Sequence, residues 1–269
     1  MRIAIYGQYK TGTTGLFYAI LGGLPANTRT LFEPEGYAFE AGDESRSVLA
    51  KVILGMPGPG WPVDYGSFRP FDRHVYIVRD PRDWVVSGLL FLIQQEQAVW
   101  GNDAHLEEVL ALIRAKEAAP ASLSASRILG RIVELGSGQS LEALTAWMAA
   151  QSRWLIDFEA GLPNAHRIRY EDFVDGNVDG LSEYLGFRVG IAPAVAPEHD
   201  HVPRTRSHGN WRDWFLPEDV ARFRPVFEPY MAHYGYDDWA LNPMPRILPE
   251  HASQYVERTV RKKRRAAGL

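Results

Sequence analysis

The segment GQYKTGTTGLF, residues 7–17, decides how this chain is read. Gly7 and Gly12 have the separation found in the phosphate loop of nucleotide-binding enzymes, whose pattern is Gly, four residues, Gly-Lys-Ser/Thr. Thr13 stands where that pattern has its lysine, and the cation of the loop is Lys10 instead. RIAIY (2–6), just before it, is an apolar run of the kind a buried strand shows. TTGLFYAILGGL (13–24), just after it, has helical apolar spacing and closes on Gly22-Gly23. Strand, glycine loop and helix make the opening unit of an α/β fold with a parallel sheet. In such a unit the loop N–H groups and the helix amino terminus gather an anion. Thr11, Thr13 and Thr14 add hydroxyl groups and Lys10 a mobile charge.

Further along, SVLAKVIL (47–54) and HVYIV (74–78) read as strands. PRDWVVSGLLFLIQQ (81–95) reads as a helix opened by proline. The Gly/Pro-rich stretch 55–70 is loop. Residues 104–158 carry helical spacing, with GSGQS (136–140) as a break and Ser140 as a cap for the second helix of the stretch. HRIRY (166–170) is a short strand candidate, EDFVDGNVDGLSEYLGF (171–187) a loop and helix, and residues 216–236 a last helix interrupted by prolines. With no internal repeat and no linker, one domain over 1–269 is expected, with 94–158 as a helical acceptor-side segment and 256–269 as a basic tail. The fold class expected is therefore α/β, a single domain with a central parallel sheet flanked by helices, like that of phosphate-loop nucleoside triphosphatases.

A net charge of −4 predicts no general attraction to nucleic acid or anionic lipid. The absence of cysteine excludes disulfides, thiolate metal sites and a cysteine nucleophile, and fits a reducing compartment. There is neither a signal-peptide pattern nor an apolar run of the ~18 residues a membrane span needs, so a cytoplasmic protein is expected.

YKTGTTGLFYAIL (9–21) resembles the 5′-phosphosulfate loop of sulfotransferases that use 3′-phosphoadenosine-5′-phosphosulfate, most closely the KTGTT style of the heparan-sulfate-type branch. YIVRDPRDWVVSGLLF (76–91) resembles that family's second motif, whose arginine and serine bind the donor's 3′-phosphate; these are Arg79 and Ser87 here. RTRSHGNWRDWF (204–215) is similar to the third element, placing Arg204 or Arg206, together with Gly209, on the same phosphate, and RYEDF (169–173) to the element whose tyrosine, Tyr170, lies near adenine. The resemblance implies a sulfotransferase fold and transfer of a sulfuryl group to a hydroxyl or amine of a small-molecule or carrier-bound acceptor. The implied donor is 3′-phosphoadenosine-5′-phosphosulfate, the implied product 3′,5′-bisphosphoadenosine. Such transfer asks for no metal: the sulfuryl group carries one negative charge, which Lys10 and backbone dipoles can serve. Three departures stand out. Arg204-Thr205-Arg206 replaces Arg-Lys-Gly, Gly15 replaces an adenine-stacking tryptophan, and Lys51 is followed by Ile53 where the cytosolic branch has a catalytic histidine.

The acceptor must lose a proton, so a general base is needed. In the heparan-type branch it is a glutamate after the first helix. TLFEPEGYAF (30–39) offers Glu33 and Glu35, with Glu33 preferred because Pro34 fixes the chain beside it. His74 is a second candidate, at a strand start and so away from the ligand end of the sheet. The histidines of EHDH (198–201) are expected to be solvated. Trp61, Trp84 and Trp100 are candidate walls of an acceptor pocket. Two other readings stay open: a phosphate-loop kinase with Asp80 holding magnesium, and a nucleotide-binding interaction module using the basic run 258–265.

Overall fold

The structure, a computed structural model, describes residues 1–58, 60–191 and 207–269. The strands are β1 (Arg2–Gly7), β2 (Arg29–Phe32), β3 (Val48–Ile53), β4 (Arg73–Val78) and β5 (His166–Arg169). The helices are α1 (Thr13–Leu21), α2 (Pro81–Gln95), α3 (Gln97–Trp100), α4 (Asp103–Ala118), α5 (Ala125–Ser137), α6 (Leu141–Ala160), α7 (Tyr170–Asp175), α8 (Asp179–Leu185), α9 (Trp211–Trp214), α10 (Pro217–Tyr234) and α11 (Ser253–Ala266). The chain divides into two compact units, Met1–Arg79 with Arg153–Pro203, and Asp80–Ser152 with Arg204–Leu269. Among the described residues no helix is long and apolar enough to cross a membrane.

The first unit holds the sheet, in the order β2-β3-β1-β4-β5, with every pairing parallel. Parallel strands are covered on both faces, so their sequences read as continuous apolar runs. Ile3 and Ile5 of β1 join Val75 and Ile77 of β4 and Leu16, Phe17 and Ile20 of α1 in one buried cluster, closed by Phe173, Leu181 and Leu185. Burying each such side chain is worth roughly 1.5–3 kcal/mol against leaving it exposed. Tyr6 and Tyr76, on the opposite face, meet Phe158 at centroid distances of 5.5 and 6.5 Å. The strands after β1 are laid down on both of its sides, which makes its carboxyl end the switch point where ligands of open α/β sheets bind.

The helix expected over 81–95 has those bounds, its amino terminus set by Asp80, whose side chain accepts from Arg82 N, and by Pro81 at the first turn. Ser140 accepts from Ala143 N at 3.2 Å and starts α6, the role expected of it. Residues 171–187 form two helices, since Tyr170 starts α7 and Gly176, at φ 86°, ends it. Pro225 and Pro229 lie within α10 without interrupting it. The basic run 256–269 falls largely within α11, whose Tyr255, Val256, Thr259 and Val260 are buried.

Candidate active site

The first unit gathers the glycine loop with residues from three other strand ends. Gly7 closes β1 in a space where a Cβ would come within 2.6–2.8 Å of Ile77, Thr13 and Thr11. The loop then turns back on itself: Thr11 N and Thr11 Oγ1 both donate to Gln8 O, at 3.3 and 2.6 Å. Gly12, at φ 91°, leads into α1. Only glycine serves there, because the Tyr170 ring lies 2.4 Å from the place a Cβ would occupy. No side chain caps α1 and no acid lies in its first turn, so its amino-terminal N–H groups and positive dipole end face the loop uncompensated. A phosphate or sulfate group fits that cradle. Gly15 abuts the Phe173 ring, with 3.3 Å between Phe173 Cε1 and a notional Cβ. A side chain at position 15 would therefore press on the Phe173 ring.

Glu33 follows β2 directly and adopts φ 55°, its N–H donating to Lys51 O at 2.9 Å. Lys51, in the middle of β3, is 2% exposed. Its Nζ donates to Glu33 Oε1 at 2.5 Å and to Thr14 Oγ1 at 2.9 Å, and lies 3.9 Å from the Phe32 ring centroid. Burial pulls the Lys51 pKa below its ordinary value, and the Glu33 carboxylate opposes that pull. The pair links the preferred base to the loop helix. In the sequence Lys51 stands out only for the histidine missing after it, yet a lone lysine inside an apolar strand is itself the signal of an anionic partner, here the exposed Glu33.

Arg79 ends the first unit just beyond β4. Its Nη1 donates to Lys10 O at 2.7 Å, and its guanidinium carbon lies 4.3 Å from the Tyr170 ring centroid. Lys10, Thr11, Gly12, Thr13, Thr14, Glu33, Arg79 and Tyr170, all singled out from the sequence, thus belong to one contact network in this unit. His74 is buried at the other end of the sheet, 3.2 Å from Tyr6 Oη through Nδ1, and burial lowers its pKa. It remains remote from this network by strand direction.

The second unit carries Ser87, buried on α2. One turn earlier, Asp83 accepts from Gly209 N and, at 3.0 Å, from Trp211 N, so the segment holding Gly209 is fastened to α2. Asp80 is fully engaged by Arg82: Oδ1 accepts from its N and Nε at 2.9 and 2.8 Å, and Oδ2 from its Nη2 at 2.7 Å. That guanidinium also lies against Trp211 and Trp239, at 4.0 and 4.9 Å from their ring centroids. Trp84 and Trp100 are buried core, whereas Trp61, in the first unit, is partly exposed and donates to Tyr65 Oη at 2.6 Å. Arg204, Arg206 and the EHDH histidines lie outside the described residues.

No protein-family model and no curated protein matches the chain. Among solved structures it is similar to mouse sulfotransferase SULT7A1 complexed with PAP, at 16% identity and a TM-score of 0.48 over 86% of this chain and 83% of that one. It is also similar to a sulfotransferase from Alicyclobacillus acidocaldarius, at 16% identity and a TM-score of 0.42 over 88% and 96%. A third is retinol dehydratase in complex with androsterone and inactive cofactor PAP, at 11% identity and a TM-score of 0.45 over 90% and 82%. These likenesses are distant, and the functional reading rests on the residues of the site.

Proposed function

We propose that the protein is a sulfotransferase, moving a sulfuryl group from 3′-phosphoadenosine-5′-phosphosulfate to a hydroxyl or amine of an acceptor. The observation that carries this reading is the ammonium of Lys51 on Thr14. In phosphate-loop nucleoside triphosphatases the residue at that position of the pattern holds magnesium. Here its hydroxyl accepts from Lys51 Nζ at 2.9 Å, and a second cation at that oxygen would meet direct repulsion. The site is equipped for a transferred group of low charge, served by two ammonium groups rather than a divalent ion. Asp80, the metal ligand a kinase would need, is occupied by Arg82.

Each residue then has a task. The loop N–H groups and the start of α1 hold the donor's 5′-phosphate. Lys10 neutralises the charge that builds on its bridging oxygen as the sulfur–oxygen bond breaks. Glu33 accepts the acceptor's proton as the new bond to sulfur forms, with its carboxylate aimed by the hydrogen bond from Lys51 Nζ. The electron pair of the broken bond stays on the phosphate, which leaves as part of 3′,5′-bisphosphoadenosine. Arg79 supplies a guanidinium to the 3′-phosphate. The roles of Ser87, Arg204, Arg206 and Gly209 on that phosphate rest on the sequence motifs.

Titration calorimetry with 3′,5′-bisphosphoadenosine and with magnesium-ATP tests the donor. The expected result is binding of the bisphosphate in preference to ATP, and the reverse preference would return the protein to the kinases. Screening hydroxyl and amine acceptors with sulfur-labelled donor then identifies the second substrate.

A further inference from the structure

Lys10 adopts φ 65°, a left-handed conformation that carries a steric penalty for a lysine and none for glycine. Such a conformation persists where the surroundings hold it. The peptide plane between Lys10 and Thr11 is held at both edges. Its N–H donates to Gln8 O over 3.3 Å, and its carbonyl accepts from Arg79 Nη1 over the shorter 2.7 Å. The second bond is charge-assisted, and so the stronger of the two.

We infer that Arg79 is a positioning residue for Lys10: it fixes the backbone of the loop lysine from the same side chain that meets the donor's 3′-phosphate. The inference deepens the sulfotransferase reading and rests on it. Arg79 is 6% exposed and is itself braced, its guanidinium carbon lying over Tyr170 at 4.3 Å from the ring centroid. Tyr170 in turn fills the space over Gly12, two residues beyond Lys10, leaving 2.4 Å to a notional Cβ. Arg79, Tyr170 and the loop thus brace one another around Lys10 and Gly12, the two left-handed residues of the turn.

A guanidinium has five N–H donors in a rigid fork, enough to hold a carbonyl with one arm and an anion with the others. Loss of the carbonyl bond removes the stronger of these two holds on the Lys10–Thr11 plane. The plane can then rotate, which moves the root of the Lys10 side chain and reorients the loop N–H groups that face the 5′-phosphate. Arg79 therefore couples the two ends of the donor: an anion that orders the guanidinium also orders the lysine beside the bond that breaks.

The test separates a pure 3′-phosphate ligand from a positioning residue by using a nucleotide without that phosphate. Affinities for 3′,5′-bisphosphoadenosine and adenosine 5′-monophosphate are measured by calorimetry on the wild type, Arg79→Ala and Arg79→Lys. Arg79→Ala is expected to weaken the monophosphate about 10-fold or more, the scale of a lost charge-assisted hydrogen bond, and the bisphosphate further still. Arg79→Lys has one ammonium for two tasks and is expected to restore one affinity and not both. Monophosphate binding untouched by Arg79→Ala would overturn the inference and leave Arg79 a simple phosphate ligand. So would recovery of both affinities in Arg79→Lys, which also serves if the alanine variant does not fold. A wild type that binds neither nucleotide would remove the donor reading itself, a failure visible before any substitution is made.

Discussion

At the scale of single residues the site divides the work between two lysines. Lys10 sits on a strained turn, partly open to solvent, and Lys51 in the interior of a strand. Lys10→Ala should lower turnover with an identified acceptor by ~10²-fold or more while bisphosphate affinity falls far less, because a transition-state donor is lost rather than a ground-state one. Equal losses in both would place Lys10 among the binding groups. Glu33→Gln keeps the shape and a polar oxygen for Lys51 but cannot take a proton; turnover should drop by ~10²-fold or more with bisphosphate binding unchanged. Full activity in the Glu33→Gln variant would move the base elsewhere, and Glu35 is the next acid along the same segment. The loop residues were legible in the sequence because glycine spacing and adjacent hydroxyls reflect local backbone geometry. The Lys51–Glu33–Thr14 contact was not, since it joins three chain segments through parallel pairing that no local pattern encodes. Gly15 shows the same limit: its missing side chain is explained by Phe173, 158 residues later.

At the scale of elements, local signals worked where an element ends on its own chemistry. Pro81 with Asp80 opened α2 and Ser140 opened α6, as their residue types imply. β2 went unseen because Arg29–Phe32 is four residues long on an edge, too short for an apolar run, yet its end is what delivers Glu33. The connection after Glu33 is knotted by Asp43, a buried carboxylate that accepts from Arg29, Arg46, Tyr37 and Glu40 N. Burial alone would raise its pKa, but these donors together hold it well below the carboxylate range. In the second unit the corresponding fastening is Asp83. Replacing it with alanine leaves Gly209 N and Trp211 N without their carboxylate, and should cost on the order of 2–4 kcal/mol in urea unfolding if each N–H loses ~1–2 kcal/mol. Limited proteolysis should show new cleavage between α9 and residue 207. An Asp83→Ala protein with wild-type stability and digestion pattern would mean that the Gly209 segment is held by other contacts.

At the scale of the whole molecule, buried titratable groups make stability depend on pH in two opposite ways. Lys116 on α4 is fully buried and donates to Pro120 O at 2.7 Å. Burial pushes its pKa down to about 8, against the opposing attraction of Asp219 and Glu218. Below about 8 the lysine is charged in both folded and unfolded chains, and the folded state bears its desolvation in full. Between there and the ordinary value of 10.5 the unfolded chain keeps a proton that the folded one has released, so stability rises with pH, by at most ~1.4 kcal/mol per pH unit for this one proton. Lys51 is shifted in the same direction. Tyr6 and Tyr9 act the other way: burial raises both, Tyr9 to about 12, so above ~10 the unfolded chain ionises tyrosines that the folded one keeps neutral, and stability falls. A maximum between about pH 9 and 10 is expected, well above the usual range. Six of the eight tryptophans, Trp84, Trp100, Trp147, Trp211, Trp214 and Trp239, lie in the unit that contains Lys116, so their fluorescence reports on it. With no cysteine in the chain, alkaline unfolding is free of thiol chemistry. Lys116→Met fills a similar volume without a charge, so its urea midpoint should exceed the wild type's near neutral pH, and the difference should shrink as pH rises past 8. Parallel profiles for the two proteins would show that Lys116 keeps its proton in the folded chain throughout, by drawing Asp219 and Glu218 closer than their present attraction implies.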